Sequence, residues 1–359
     1  MTPESRRYWT QQMGARRDWW DQRVEPLFEP DVAVVDAHLH LWEERDFPDP
    51  TGAEPLRTSR YMPGDFDAGG HRVAQIVYVE CGSGYFVDAP DGFHAVGESV
   101  FAARTHERFA AQDGADLAGC ISHVDLRSPA LEQIINAHES ASASLLRGFR
   151  QSAARLEDPE ARLLAGAAEP GIYRDPEFRK GLAVLGERSL TFDAFVFHHQ
   201  LEEIAELARA VPSVTIVLNH LGGPVGYDGP GSVPDGWHAG IDMVAACPNV
   251  MMKLGGAASL VTGYDGAHRD RPPSSEDFVR DRGVLFEHAI DRFGPERCMF
   301  ESNFPVDSTS ISYRVLWNAY KRIASRYGPG ARDQLLSGTA RATYRLNGTL
   351  PATHARGVA

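Results

Sequence analysis

Apolar runs recur along the whole chain, at residues 32–42, 73–81, 117–126, 145–150, 190–197, 214–221, 249–254 and 297–302. Several are nearly continuous in Val, Ile, Leu and Phe, the pattern of strands buried on both faces. Segments with helical spacing lie between them. Leu201, Ile204, Ala205, Ala208 and Val211 fall at offsets 0, 3, 4, 7 and 10, one face of a helix. Residues 130–143, 276–293 and 313–327 follow the same rule. Pro248-Asn249 and Gly294-Pro295-Glu296-Arg297 punctuate the chain before the seventh and eighth runs. Eight strands alternating with helices predict an α/β fold, a (β/α)8 TIM barrel. An open doubly wound sheet is the alternative. No GxGxxG follows the first run and no Walker A motif occurs, so the common nucleotide-binding signals are missing. No internal repeat or composition break marks a second domain. The barrel is assigned to residues 31–350, with 1–30 as a Trp-rich N-terminal extension (Trp9, Trp19, Trp20). Residues 48–67, 85–96 and 222–238 are rich in Gly, Pro and Asp and predict long loops after strands 1, 2 and 6. Loops that follow strands build the active-site face of a barrel.

Composition narrows the partners. With 36 Lys and Arg against 49 Asp and Glu, the 359-residue chain carries a net charge of −13. Such a chain is a poor binder of nucleic-acid phosphates or anionic membrane surfaces. No run approaches the ~18 apolar residues of a membrane span, and the first 30 residues lack the apolar core of a signal peptide. The four cysteines form no CxxC or close pair, which predicts buried thiols in a reducing compartment, the cytoplasm. The expected partner is a small-molecule substrate, and a homo-oligomer is compatible with the sequence.

The densest chemistry lies in the first strand. Side chains alternate faces along a strand, so Asp36, His38 and His40 are expected on one face and Ala37, Leu39 and Leu41 on the other. Three polar groups on one buried face are costly unless each has a partner. A His-x-His pair at a strand's end is either solvated at an edge or part of a metal or proton-transfer site.

Asp36-Ala37-His38-Leu39-His40-Leu41-Trp42 closely resembles the opening motif of the amidohydrolase superfamily. Within it the chain is similar to the amidohydrolase-2 group, in the branch holding 2-pyrone-4,6-dicarboxylate lactonase and the sugar-lactone lactonases. The resemblance continues through Val77-Tyr78-Val79-Glu80-Cys81, Arg147-Gly148-Phe149-Arg150, His198-His199-Gln200-Leu201, Leu218-Asn219-His220-Leu221-Gly222-Gly223-Pro224, Lys253-Leu254-Gly255-Gly256 and Phe300-Glu301-Ser302-Asn303-Phe304-Pro305-Val306-Asp307, and spans residues 32–346. It implies histidines at the ends of strands 1, 5 and 6 and an acidic residue at the end of strand 8. By matching position these are His38 and His40, then His198 (with His199 beside it), then His220. The resemblance further implies one divalent metal, Zn or Mn, held by His38, His40 and His198, or a metal-free route.

Strand 8 departs from the pattern. The family's Ser-Asp-x-Pro is here Ser302-Asn303-Phe304-Pro305. That Asp is a metal ligand in metal-dependent relatives and the general base in the metal-free lactonase. An amide takes no proton from water at neutral pH and is a weak, neutral ligand. Glu301 and Asp307 are candidate replacements. Glu301 is also a candidate ion-pair partner for Lys253, and Asp307 a candidate turn or cap residue. Glu80 faces the site or pairs with Arg150. Arg150 and Lys253 are candidates to hold an anionic substrate or an oxyanion, since Arg recognises carboxylates with a planar fork. Tyr85, with Tyr61 and Phe86, is a candidate to close on substrate.

Together these features predict a hydrolase that opens a lactone or related bond of a small, carboxylated molecule. His38, His40 and His198 hold the metal or the acyl group, and His220, Glu301 or Asp307 moves the proton. Asn303 orients the water. An amide hydrolase or a metal-dependent decarboxylase of the same family is the nearest alternative. A non-catalytic binding protein on the same scaffold is the alternative from another class.

Overall fold

The computed structural model describes residues 17–43, 45–47, 56–58, 60–112, 114–156, 168–226 and 228–348. Its main sheet has eight strands: β1 (Val34–Leu39), β2 (Val73–Val79), β3 (Asp116–His123), β4 (Leu146–Arg150), β5 (Thr191–Ala194), β6 (Ile216–Leu218), β7 (Val250–Leu254) and β8 (Cys298–Phe300). They pair in sequence order, every neighbour parallel. A bridge between Leu39 and Phe304 joins the two ends, with His40 N donating to the Phe304 carbonyl at 2.8 Å. Sequential order with closure is a barrel, which excludes the doubly wound alternative.

Among the described residues, the longer helices pack outside: α1 (Val96–Ala110), α2 (Leu131–Ala141), α3 (Pro176–Glu187), α4 (Leu201–Ala210), α5 (Trp237–Ala245), α6 (Ser275–Phe293) and α7 (Tyr313–Ala324). Local chemistry sets their starts. Ser274 and Asp277 form a reciprocal capping box at α6, and Asp175 caps α3 ahead of Pro176. Ile76, Phe192, Leu207, Phe286, Phe300 and Trp317 belong to the large core between sheet and helices. A smaller cluster draws Val35, Ala37, Val77, Ile121, Val217 and Met299 from strands on opposite sides, and so fills the barrel's interior.

Two strand details differ from the expectation. The ladder of β1 is irregular between Asp36 and Leu39. Val35 and Ala37 therefore point inside, while Asp36 turns to the Ser302 N–H (2.8 Å) and the Tyr313 hydroxyl (3.0 Å). Asp36 does not share a face with His38 and His40. In β5 the ladder ends at Ala194, short of the apolar run that continues to Phe197.

The chain from 17 to 29 lies against α6 and α7. Asn318 donates to Glu25 at 2.7 Å, and Trp20 Nε1 donates to the Ser308 carbonyl at 3.0 Å. The first 16 residues, with Trp9, lie outside the described residues, as do 48–55 of the predicted first long loop.

Candidate active site

The strands deliver their polar side chains to the end of the barrel where they run out. A cavity of about 260 Å³ opens there, with His40, Arg150, His220 and Asn303 among its polar lining and Trp42, Phe195, Val261 and Val306 among its walls.

His220 and Asn303 both have left-handed backbones, φ 57° and 54°. Such geometry is uncommon for non-glycine residues and persists where the surroundings hold it. Glycines after β7 make room for them. A Cβ on Gly256 would stand 2.7 Å from the His220 side chain, and one on Gly255 would stand 2.3 Å from the Glu301 carbonyl.

Glu301 lies fully buried beneath the cavity floor. Its Oε1 accepts from both the backbone N–H (3.0 Å) and Nδ1 (2.7 Å) of His220. Its Oε2 lies 2.8 Å from His38 Nδ1. Burial opposes ionisation of Glu301, but His220 and Lys253 outweigh it and hold the carboxyl below its usual range. His38 Nε2 and His40 Nε2 are 3.0 Å apart, and His40 Nδ1 meets the Val79 carbonyl at 2.8 Å. Burial pushes both histidines well below their usual pKa, helped by Lys253 at His38 and Arg150 at His40. Burial and these cations thus favour the neutral form of both rings.

Arg150 Nε bonds Glu80 Oε1 at 2.6 Å, Nη2 bonds the Glu80 carbonyl at 2.6 Å, and Nη1 is 3.5 Å from His38 Nε2. Asn303 Nδ2 donates to Asp307 Oδ1 at 2.8 Å. Among the described residues, His38, His220 and Glu301 form the group whose ligand atoms all lie within 4.8 Å.

Four predicted site residues sit elsewhere. His198 lies beyond β5 in a short 3₁₀ turn, His198–Gln200, where its Nδ1 accepts from Val225 N at 3.2 Å. Phe195 takes the β5 position at the cavity, with its ring 5.1 Å from that of His220. His198 is thus no partner for His38 and His40. Lys253 is fully buried inside the barrel, bonded to Asp193 Oδ2 at 2.7 Å, and reaches neither the cavity nor a hydrogen bond to Glu301. Asp307 is also fully buried, accepting from Ala258 N at 3.1 Å. Burial raises its pKa well above the usual carboxylate range. It orients Asn303 and does not stand open above the site. Tyr85 is part-exposed on the loop after β2 and is absent from the cavity lining; burial, then Glu98 and Glu80, pushes its phenol pKa up.

Asp193, Tyr344 and Phe195 were not singled out from the sequence. Asp193 was visible as a charge inside an apolar run. Tyr344 carried no local signal, yet its hydroxyl is 3.0 Å from both Asp193 oxygens.

A sequential parallel barrel with histidines and a buried Glu converging at the strand ends defines a hydrolase-type barrel site. The chain matches the amidohydrolase family over residues 35–346, and it belongs to that family. It is 30% identical over 328 residues to the uncharacterized protein y4mH of Sinorhizobium fredii, covering 88% of this chain and 99% of that one. It is 29% identical over 317 residues to an L-fucono-1,5-lactonase of Burkholderia multivorans, covering 87% and 96%. A crystal structure of an amidohydrolase from Burkholderia multivorans with bound zinc superposes with a TM-score of 0.67 at 25% identity, covering 88% of this chain and all of that one. No helix among the described residues is long and apolar enough to cross a membrane.

Proposed function

We propose that this chain hydrolyses a small lactone, with His220 as general base and Glu301 as the group that orients it. The observation that carries this reading is the 2.7 Å contact between His220 Nδ1 and Glu301 Oε1 at the cavity floor. A carboxylate behind an imidazole fixes its tautomer and stabilises the imidazolium that forms when it takes a proton. His220 Nε2 takes a proton from water as the hydroxyl oxygen adds to the lactone carbonyl carbon. The carbonyl oxygen becomes an oxyanion, and Arg150 supplies the nearby positive charge. The ring C–O bond then breaks, and the leaving alkoxide takes the proton back from His220, giving a hydroxy acid. With Nδ2 held by Asp307, the Asn303 carbonyl oxygen is the group that aligns the water.

The donor set argues for a metal-free route. In the His38–His220–Glu301 group the nitrogens stand 2.8 and 2.7 Å from carboxylate oxygens, which are hydrogen-bond spacings. The Lys253 ammonium is 3.3 Å from His38 Nδ1. On the far side of the ring, the Arg150 guanidinium is 3.5 Å from His38 Nε2. Two resident cations beside His38 repel a dication, and the Asn303 amide offers it only a weak, neutral ligand. The zinc in the Burkholderia amidohydrolase favours the opposite reading. Metal analysis of protein purified without chelator decides between them, and about one zinc per chain would overturn the metal-free route.

Glu80 occupies two of the three Arg150 nitrogens, so a neutral hydroxylated lactone fits the cavity better than a carboxylated one. The relatives named for L-fucono-1,5-lactone and L-rhamnono-gamma-lactone support that class. Turnover on a panel of aldonolactones and carboxylated lactones, read by proton release, tests the proposal. Binding without turnover would favour the non-catalytic alternative. We further read residues 31–350 as one barrel domain and 1–30 as an extension, whose described part, 17–29, lies against α6 and α7. We read the setting as cytoplasmic, in keeping with the buried thiols of Cys120, Cys247 and Cys298.

A further inference from the structure

Behind the cavity floor lies a chain of polar groups that the mechanism above leaves without a task. Tyr344, Asn219 and Lys253 all bond Asp193, and Lys253 Nζ is also 3.3 Å from His38 Nδ1. From His38 the chain passes to His40 at 3.0 Å and to the Val79 carbonyl at 2.8 Å. Every side chain in it is fully buried except His40, which is 5% exposed.

The direction of each bond follows from its far end. A backbone carbonyl only accepts, so His40 donates through Nδ1. A neutral imidazole carries one N–H, so His40 Nε2 is an acceptor. The group facing it is His38 Nε2, which therefore carries the His38 proton. His38 Nδ1 is then left as an acceptor, and Lys253, which has only donors, supplies its hydrogen. The opposite tautomer of His38 sets two lone pairs against each other at 3.0 Å and turns an N–H toward an ammonium at 3.3 Å, whereas this one meets a cation, the Arg150 guanidinium, only at the longer 3.5 Å. Glu301 Oε2 lies 2.8 Å from the same nitrogen without a hydrogen bond to it, and a proton on Nδ1 would supply one. His38 Nδ1 thus sits between a donor and an acceptor that demand opposite tautomers.

We propose that Lys253 is a positioning residue that settles this competition: held by Asp193, it makes His38 Nδ1 an acceptor and locks His38 and His40 into a one-way hydrogen-bond chain ending on Val79. The inference deepens the lactonase reading, on which its catalytic consequence rests. His40 Nε2 is kept as an acceptor and His38 spends its proton on His40, so neither ring donates to a substrate carbonyl. Polarisation of that carbonyl is left to Arg150.

Long-range proton–nitrogen NMR on ¹⁵N-histidine-labelled, ligand-free protein reads the tautomers directly, with His38→Gln and His40→Gln identifying the two rings. The expected result is a proton on Nε2 of His38 and on Nδ1 of His40. Lys253→Met is expected to move the His38 proton to Nδ1, toward Glu301, and to lower kcat by about tenfold or more. Lys253→Met leaves Asp193 without its cation, so the Lys253→Met/Asp193→Asn double variant repeats the test with that charge removed. A His38 proton on Nδ1 in the unaltered protein, or tautomers unchanged in both variants, overturns the proposal. The NMR needs no substrate, so a failed lactonase assay leaves this test intact.

Discussion

Replacing Glu301 by Gln tests the dyad most sharply. The amide keeps the shape of the side chain, and its oxygen still accepts from the His220 backbone and ring, at 3.0 and 2.7 Å in the parent. What disappears is the charge. When His220 takes a proton, the imidazolium and the carboxylate stand with charge centres about 4 Å apart, worth about 4 kcal/mol at an effective dielectric of about 20. At 1.36 kcal/mol per decade, that corresponds to a fall in kcat of about 10³-fold, inside the range of about 10²–10⁴ for general acid–base catalysis. KM should change little, because Glu301 is fully buried and lines no part of the cavity. Neutralising Glu301 also gives up the attraction of His220 and Lys253 that outweighs its burial, so the melting temperature should fall and kcat is compared well below it. The assay is steady-state lactone hydrolysis by proton release, with thermal melting followed by circular dichroism on the same samples. A Glu301→Gln enzyme within threefold of the parent kcat would refute His220–Glu301 as the proton-transfer dyad.

Dialysis against a strong chelator should leave kcat unchanged, measured beside metal content; loss of activity restored by zinc would reverse the metal-free reading. Gly256→Ala should lower kcat and reduce stability by roughly 1–3 kcal/mol, read by melting and turnover, because a Cβ there meets His220 at 2.7 Å on a backbone with φ 65°. His71 is buried with its pKa lowered to about 4, first by burial and then by Lys321. The unfolded chain therefore binds this proton near pH 6.5 and the native chain only near 4. The stability involved is fully present above pH 6.5 and is lost as pH falls toward 4, to a total of about 3 kcal/mol. Denaturant titrations across that window should show a smaller acid loss in His71→Gln, and an identical slope in both proteins would exclude the assignment.

The barrel was legible because each strand and each helix face repeats its own period, and eight such cycles leave few topologies. Positions within a strand were harder. The alternation rule placed Asp36 beside His38, but the ladder slips between Asp36 and Leu39 and sends the carboxylate out to Tyr313. His198 followed an apolar run that looked like one strand to Phe197. Pairing stops at Ala194, and the next residues carry Phe195 to the cavity and His198 past it. Glu80 with Arg150 was foreseeable because β2 and β4 end at similar heights, so two opposite charges at their ends meet. The partners of Asp193 were not, because Lys253 is 60 residues away and Tyr344 is 151 away, and no local pattern links them.

The bridge from Leu39 to Phe304 and the reach of Tyr344 to Asp193 also set a timetable for synthesis. The ribosome releases His38 and His40 first, yet Glu301 follows more than 260 residues later, and Tyr344 after that. Until β8 emerges, β1 has β2 on one side and an open edge on the other, an invitation to pair with a foreign strand. The nascent chain must also carry Asp193 and Lys253 before their last partner exists. Closure of this barrel therefore waits for its last strand, and partly formed states with an open edge precede it on the tethered chain. Its buried charges come to rest only when the segment carrying Tyr344 docks, and a chaperone that shields the β1 edge would act on the long interval before that moment.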